Sequence, residues 1–444
     1  AITGNVSIAS GGGTLRLGGM ATLQYPTSFI VDGGGVLEVN NNLGTNLPDR
    51  IRDDASIVLR GGTIRGTGGN EHFGNVTAAA GPNYIAGNNI LTINALTRNT
   101  GATVGFGDNI AGGNMVTIVQ APTLVNGLMV GGAGFWSYNQ GRVRTLSQAI
   151  SEGVVPALVT DINAGAATDN FNVYVSDATP TATLTSSRSI NSLQFGGQDS
   201  GVNSVLDLGT NTLTLTSGYF GGTTDWMRVT NGTLIPAGNE LFVQGPGNGN
   251  RTITFDGVLA DNGNPVNVVL FGGNNITFAG TNTFSGNLYI NGTNVSFSGA
   301  NSDATIPNVP EIHLNGGALN AGTGLTKPII FDNSAIGLNS GAFNVANQLR
   351  GTAFISKGGD SDVTISQANP NLSATFAVNR GSLTAPVAGA LGSSEVLVNY
   401  ADRGGTLNYN ATGITSSPKG VTVCGEGNVN IGANLTVADR ITVK

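Results

Sequence analysis

Short apolar runs alternate with polar residues along nearly the whole chain. Residues 275–299, NITFAGTNTFSGNLYINGTNVSFSG, carry large apolar residues at every second position of three short segments. Such alternation is typical of β-strands that are buried on one face. We therefore predict strands in this stretch. The side chains predicted to point inward are Ile276, Phe278, Leu288, Ile290, Val295 and Phe297.

A short unit punctuated by glycine recurs along the chain. It contains a strand-like run, one or two Gly beside a polar residue, and a second run, as in IVDGGGVLEV (30–39) and IHLNGGALN (312–320). The Gly two positions before the first large apolar residue of the second run recurs at Gly13, Gly35, Gly62, Gly317, Gly341, Gly381, Gly405 and Gly427. The intervals are 22 and 27 residues in the first group, then 24, 40, 24 and 22 in the second. A period in the low twenties is typical of one turn of a parallel β-helix, so we predict an all-β fold, a right-handed parallel β-helix (β-solenoid).

Glycine and asparagine have a predicted role at the bends between these strands. Gly adopts positive φ without strain, and Asn tolerates the left-handed region better than most residues. Asn side chains stacked at equivalent bends can also form hydrogen-bonded ladders. With a spacing of ~4.8 Å between stacked strands, about twenty turns would form a rod on the order of 95 Å long.

One stretch, residues 141–190, interrupts the strand pattern. In TLSQAISEG the residues Leu146, Ala149 and Ile150 fall on one helical face, and Gly153 can end the helix. We therefore predict three parts. They are an N-terminal solenoid section over residues 1–140, an irregular connection with a short helix over 141–190, and a C-terminal solenoid section over 191–444.

The composition excludes two classes of partner. Only 10% of the 444 residues are charged, the net charge is −7, and the 19 Lys and Arg are scattered. There is no basic stripe for nucleic acid and no basic amphipathic helix for lipid. No apolar run approaches the ~20 residues that span a membrane, so no membrane insertion is predicted.

The single cysteine allows no disulfide within the chain, and the start at Ala1 suggests a processed protein or part of a larger precursor.

Some β-helices cleave acidic polysaccharides, which requires several carboxylates on one face and a nearby Arg or Lys. The residues of this kind are Asp53 and Asp54 beside Arg50 and Arg52, and Asp360 and Asp362 beside Lys357. Neither cluster recurs one turn away, where a solenoid would place its partner. We interpret both as solvated charges at turns and predict no catalytic residue.

The sequence also predicts no metal site and no cofactor. His72 and His313 lie far apart, with no Cys or carboxylate at ligand spacing, and the calcium-like segment GGDSD (358–362) occurs once. Aromatic residues cluster at Phe135, Trp136 and Tyr138, and again at Tyr219, Phe220 and Trp226. Aromatic side chains bind sugars and also fill cores, and we interpret these as caps or lateral packing.

Three segments carry a resemblance to a known family. NITFAGTNTFSGNLYINGTNVSFSG (275–299), RSINSLQFGG (188–197) with LDLGTNTLTLTSG (206–218), and ALTRNTGATVGFG (95–107) with APTLVNGLMVGG (121–132) resemble the repeats of the autotransporter-associated β-strand repeat proteins. The resemblance implies a secreted, passenger-like bacterial β-helix at the cell surface or in an extracellular structure. It implies no catalytic residues.

Three functions are therefore considered for the chain. The first, which we favour, is a structural subunit of a cell-surface fibre or matrix, assembled as a homopolymer through the terminal turns, because strand-like sequence continues close to both ends. The second is an adhesin that binds an extracellular glycan or protein, and the third is a polysaccharide-cleaving β-helix. We expect no enzymatic activity.

Overall fold

The structure is a computed structural model. It describes residues 3–44, 47, 49–87, 91–107, 116–125, 128–129, 136–139, 142–197, 203–222, 226–246, 251–298, 301–320, 324–338, 343–345, 348–360, 362–400, 404–409, 420–425, 427–431 and 441–443. In this part of the chain the protein is an all-β parallel β-solenoid of about 16 turns, which confirms the predicted fold class.

The first part of the chain forms seventeen described strands. Their bounds are β1 Val6–Ile8, β2 Thr14–Leu17, β3 Ser28–Asp32, β4 Val36–Asn40, β5 Ser56–Arg60, β6 Thr63–Thr67, β7 Glu71–Phe73, β8 Val76–Ala80, β9 Pro82–Gly87, β10 Leu91–Ile93, β11 Leu96–Arg98, β12 Thr103–Phe106, β13 Val116–Ile118, β14 Leu124–Val125, β15 Leu128–Met129, β16 Trp136–Asn139 and β17 Arg142–Thr145.

Strands β1 to β13, which we call the N-stack, form three parallel sheets. Their strand orders are β1-β3-β5-β8-β11, β2-β4-β6-β9-β12 and β7-β10-β13. Thr14 pairs with Val36, and Val36 pairs with Thr63. The offsets between these paired strands equal the two intervals between the glycines of the first group, which confirms the period read from the sequence.

A hairpin and a short helix close the far end of the N-stack. Strand β17 pairs antiparallel with β16 and with β13, so it covers the last edge of the third sheet. Helix α1, Leu146–Ser151, follows directly. Thr145 and Gln148 form a capping box at its start, and Gly153 follows its end with φ of 73°. The predicted helix in the irregular connection is confirmed.

The second part of the chain, which we call the C-stack, contains the remaining described elements. Their bounds are β18 Asn170–Val175, β19 Thr181–Thr183, β20 Arg188–Gly197, β21 Asn203–Asp207, β22 Thr212–Gly222, β23 Trp226–Thr230, β24 Thr233–Pro236, β25 Glu240–Gln244, β26 Thr252–Phe255, β27 Val258–Leu259, β28 Asn267–Phe271, β29 Asn275–Phe278, β30 Leu288–Asn291, β31 Thr293–Phe297, α2 Ser302–Thr305, β32 Ile312–Leu314, β33 Gly317–Asn320, β34 Ile329–Leu338, β35 Phe343–Val345, β36 Leu349–Lys357, β37 Asp362–Ile365, β38 Thr375–Val378, β39 Ser382–Ala385, β40 Glu395–Val398, β41 Thr406–Tyr409, β42 Gly420–Val423, β43 Asn428–Ile431 and β44 Ile441–Val443. The C-stack therefore begins with β18, inside the stretch that the sequence assigned to the connection.

These strands also stack in parallel, one turn on the next. The longest sheet runs from β18 through β20, β22, β25 and β28 to β44, and two further sheets run from β19 to β33 and from β35 to β43. Ser382 pairs with Thr406, and Thr406 pairs with Asn428. These offsets equal the last two glycine intervals, from Gly381 through Gly405 to Gly427, which are thereby confirmed. Gly341 lies outside the described residues.

The inward positions predicted for residues 275–299 are confirmed. None of the six apolar side chains is more than 7% exposed. Phe255, Phe278 and Phe297 stack in successive turns, with ring centroids 6.2 and 5.7 Å apart. Alternation alone placed these side chains correctly, because a one-residue shift in register would have turned all of them outward.

Three buried asparagines each connect their own turn to the turns before and after it. Asn282 Oδ1 accepts the N–H of Leu259 in the preceding turn (2.9 Å), and Asn282 Nδ2 donates to Thr305 O in the following one (3.2 Å). Asn83 and Asn369 bridge their neighbouring turns in the same way. The predicted side-chain ladders also occur on the surface, where Asn430 Nδ2 donates to Asn408 Oδ1 (2.7 Å). The Asn-rich composition therefore has a structural cause.

The two stacks lie side by side and run in opposite directions. Three hydrogen bonds that join the two halves of the chain are Gly33 N–H to Asn333 O (2.9 Å), Asn291 Nδ2 to Gly101 O (2.7 Å) and Asn191 Nδ2 to Val125 O (3.3 Å). As residue numbers rise on one side of these bonds, they fall on the other. The expectation of one straight rod of about twenty turns is therefore wrong. The first turn of the N-stack and the last turn of the C-stack face the same end of the molecule.

Candidate functional site between the two stacks

The surface where the N-stack contacts the C-stack, which we call the seam, is built on an aromatic stripe. Tyr219, Phe242, Val269, Tyr289 and His313 pair with one another in successive turns. They alternate with core residues, so their side chains point away from the C-stack core. Tyr219 and Phe242 are nevertheless only 1% exposed. Apolar side chains at outward positions of successive turns indicate a covered face.

A buried ion pair crosses the seam above this stripe. Arg98 of the N-stack binds both carboxylate oxygens of Glu240, with Nη1 at 3.1 Å from Oε1, and the Gly101 N–H donates to Oε1 at 2.8 Å. The Arg98 guanidinium also lies over the Phe242 ring, 5.2 Å from its centroid. The two charged side chains are only 14% and 9% exposed. A bidentate, shielded pair of this kind fixes the register of one stack on the other.

Glycine allows the N-stack backbone to approach the stripe. Gly101 has φ of 77°, and a Cβ on it would overlap the Tyr289 ring. A Cβ on Gly33 would lie 2.7 Å from Ala335 N. Any larger residue at either position would separate the stacks, so the turn glycines of the N-stack shape the seam as well as its bends.

The seam contains a partly open pocket of about 130 Å³. Small residues of the N-stack form one wall, and polar residues of the C-stack form the other. The C-stack wall consists of Tyr289, His313, Asn315 and Asp332. His313 Nδ1 lies 2.8 Å from Asp332 Oδ2, and its ring stacks on Tyr289 with centroids 4.4 Å apart. Burial raises the pKa of Tyr289, so its phenol stays protonated. The pocket is large enough for several water molecules or one small polar ligand.

The first predicted charge cluster does not form one site. Arg52 and Asp54 form an exposed ion pair, whereas Arg50 is buried and donates to Asn41 Oδ1 and Ala21 O. Glu71 was not predicted from the sequence, and its carboxylate accepts the backbone N–H groups of Arg50 and Ile51. Burial raises the pKa of Glu71 to about 7. A single carboxyl in a strand-like run has no local signal that predicts this burial.

The second predicted charge cluster is also divided among separate contacts. Asp360 pairs with Arg380, and Asp362 accepts a hydrogen bond from the Ser382 hydroxyl (2.6 Å). Lys357 is buried, and its Nζ donates to the carbonyls of Gly359 and Arg380, while burial lowers its pKa. Each group binds a residue of a neighbouring turn or bend, so the cluster does not converge on an open groove.

Both histidines lie beside an aspartate that is distant in the sequence. His72 Nδ1 lies 3.6 Å from Asp53 Oδ2, and His313 Nδ1 lies 2.8 Å from Asp332 Oδ2. In both pairs the partners lie close to one turn apart along the chain, so the solenoid period was a signal for them. Among the described residues, no group of three or more His, Cys, Asp and Glu side chains is placed to hold a metal ion.

The predicted aromatic clusters have different surroundings. Trp136 packs edge-on against Phe106 at 5.5 Å, and the Tyr138 hydroxyl donates to Ile118 O, so both cap the end of the N-stack. Tyr219 provides the lateral packing described above, and Phe220 is in the core. Phe135 lies outside the described residues. Trp226 is different, since it is 44% exposed on β23 with the Arg251 guanidinium 4.6 Å from its ring centroid.

The fold and the seam define the class of this protein as a parallel β-solenoid folded back on itself. No family model matches the chain, and no curated protein or solved structure is significantly similar to it. The resemblance to the autotransporter-associated repeats stays a prediction. Among the helices in the described ranges, none has the length and apolar character needed to cross a membrane.

Proposed function

We propose that the protein is a structural subunit of an extracellular fibre or matrix at a bacterial cell surface. The observation that carries this proposal is how the acidic side chains are used. Described carboxylates on several faces bond to the neighbouring turn, which stabilises the stack. These turn-to-turn contacts are Asp32 with Arg60, Glu38 with Arg16, Asp261 with Ser285, Asp303 with Thr326, Asp360 with Arg380 and Asp362 with Ser382.

The location outside the cell rests on the residue pattern of the chain. Its resemblance to secreted repeat proteins supports an extracellular role, and so does a surface made of Asn, Thr and Ser rather than charged residues. The solenoid supplies rigidity, because successive turns are bonded by strand pairing and, at Asn83, Asn282 and Asn369, by buried side-chain bridges.

The antiparallel stacks change the geometry of the expected homopolymer. The first and last turns face the same end, so a second copy that stacks its last turn on the first turn of this one must be inverted. Contacts of this kind build a closed pair or a sideways ribbon rather than a thin rod.

We expect the purified protein to form particles heavier than its 44.8 kDa subunit, and antibodies against it to label intact cells. Light scattering across a concentration series and negative-stain electron microscopy measure the first, and immunogold labelling measures the second. A subunit that remains monomeric at high concentration and is absent from the cell surface would refute the structural proposal.

Adhesion to a neutral glycan is a second candidate, favoured by Trp226. The exposed ring lies in a row of outward side chains, with Asn203 before it and Thr252 after it in adjacent turns. An exposed aromatic ring with hydroxyl and amide groups beside it, and with the Arg251 guanidinium against it, suits a sugar ring. We expect Trp226→Ala to reduce glycan-array binding by about tenfold, a loss typical of an exposed aromatic contact. Tyr174→Ala, at another exposed aromatic position, is the matched control; equal binding by all three proteins would exclude this site.

A further inference from the structure

We infer that the seam also forms between molecules, with the N-stack of one copy docked on the C-stack of another. This inference rests on the proposed self-association and names the surface that mediates it. Its partner is a second copy of this chain, which presents the Arg98 side of the seam to Glu240 of its neighbour.

Each stack is complete without the other. Among the described strands, no sheet contains strands from both stacks. The hydrophobic cores formed by the described residues are also separate, since the N-stack core and the C-stack core share none of them. Neither stack therefore needs the other stack of the same chain in order to form its sheets or its core. The seam behaves as an interface between two folded bodies.

The contacts across the seam are those of a specific interface. They combine the buried Arg98–Glu240 pair, the bond from Asn291 to Gly101 O, and the aromatic stripe. Separating the stacks would leave the ion pair broken and Tyr219 and Phe242 uncovered, so a docked seam is strongly favoured. An identical N-stack from another molecule supplies the same contacts. The contacts across the seam therefore stabilise a docked N-stack, whichever copy of the chain provides it.

A short segment links the two bodies. Helix α1 packs on the N-stack hairpin, while Val159 bridges to Phe171 in the C-stack. Residues 152–158 lie between them, and five of these are exposed, namely Glu152, Gly153, Val154, Pro156 and Ala157. Val155 is buried against α1, and the N–H groups of residues 152–155 bond back to that helix, so residues 156–158 form the hinge. The hinge reaches at most about 11 Å when extended, and about 25 Å when the bonds of residues 152–155 to α1 also open. A short hinge between complete bodies is a common origin of domain swapping, because straightening it keeps every docking contact while exchanging the partner.

Complementary charge reversals test the inference. Arg98→Glu places two acidic groups in the seam of one chain, and Glu240→Arg places two basic groups in the seam of the other. Neither chain can then close on itself without like-charge repulsion. When the two chains are co-expressed, exchange of N-stacks restores Arg98–Glu240 in one seam. In the second seam it creates a reversed pair, with the carboxylate at position 98 and the guanidinium at position 240.

We expect affinity purification through a tag on one variant to recover the other variant about tenfold more efficiently than it recovers an untagged chain of the same variant. The double variant Arg98→Glu with Glu240→Arg is the matched control, because it restores a complementary pair within one chain and should lose this preference. No enrichment of the mixed pair would overturn the inference. Circular dichroism checks that each variant is folded.

A second measurement covers the case in which a single variant fails to fold. Two differently tagged wild-type chains are refolded together at high concentration, and co-purification is expected, with the amides around Tyr219 protected from hydrogen exchange. Recovery of single-tag monomers only would again overturn the inference. If wild-type assemblies form but the charge-reversed chains show no preference for each other, trans docking is wrong but the structural proposal stands. If wild type neither assembles nor reaches the cell surface, the structural proposal itself fails.

Discussion

Replacing Glu71 with glutamine is expected to raise the free energy of unfolding by about 3 kcal/mol above pH 7 and to change it little below pH 4.5. Burial raises the pKa of the Glu71 carboxyl from its ordinary value of 4.5 to about 7, although the N–H groups of Ile51 and Arg50 partly oppose this shift. Glutamine remains neutral, and its oxygen can accept the same two N–H groups.

The direction follows from which state loses its proton first. As the pH rises from 4.5 to 7, the unfolded chain ionises Glu71 while the folded protein still holds the proton. The wild-type free energy of unfolding therefore falls through this window and stays low above it. Urea denaturation at pH values spanning the window measures the difference, and hydrogen exchange at the Ile51 amide reports it locally.

Glu38 provides a control of opposite sign. Burial raises the pKa of its carboxyl. Hydrogen bonds from Asn40 and Arg16, together with the charges of Arg16 and Arg65, lower it by a larger amount, so the net pKa is below its ordinary value. Glu38→Gln should therefore destabilise the protein at neutral pH and have less effect in acid. A Glu71→Gln effect that is constant across the pH window would contradict the prediction, because a constant effect arises from packing.

Asn282→Ala is expected to lower the free energy of unfolding by about 2–4 kcal/mol. The side chain is fully buried and makes three hydrogen bonds, to Leu259 N–H, Gly280 O and Thr305 O. Alanine leaves the buried Leu259 N–H without a partner, and an unsatisfied buried donor is more costly than an average lost hydrogen bond. Equilibrium denaturation measures the loss.

Two further variants separate hydrogen bonding from packing at this site. Asn282→Asp keeps the acceptor for Leu259 but places a carboxylate against Gly280 O and Thr305 O, so it should be unstable at neutral pH and partly recover in acid, where the carboxyl can donate. Asn294→Ala removes an exposed Asn–Asn bond to Asn275 and should change stability by less than about 0.5 kcal/mol. Equal losses at Asn282 and Asn294 would contradict the bridging role.

The spacing of glycines and the alternation of apolar and polar residues were enough to predict the length of several turns and their inward side chains. Gly13, Gly35 and Gly62 marked the offsets between paired strands of successive turns, and alternation placed Ile276 and Phe278 inward. In a solenoid each turn packs only on its neighbours at a constant spacing. Local period and local polarity therefore contain most of the information that the fold requires.

The candidate site was predicted less well. Tyr219 was interpreted correctly as lateral packing, but its partner was not identified. Arg98 and Glu240 lie 142 residues apart, and nothing in either local sequence connects them. The two pairs of histidine and aspartate could have been predicted from the solenoid period, since the two residues of each pair lie close to one turn apart. The geometry of each pair depends on the length of the bends between them.

The sequence by itself determined the all-β solenoid, its inward side chains, its turn period and the helix that interrupts it, because these depend on alternation and on bends within one or two turns. Only the tertiary structure decided that the two stacks fold back on each other, that Arg98 meets Glu240, and that Glu71 is buried. Those outcomes depend on how whole stacks pack and on the summed lengths of many bends. A single insertion would change them without altering the local pattern of any strand.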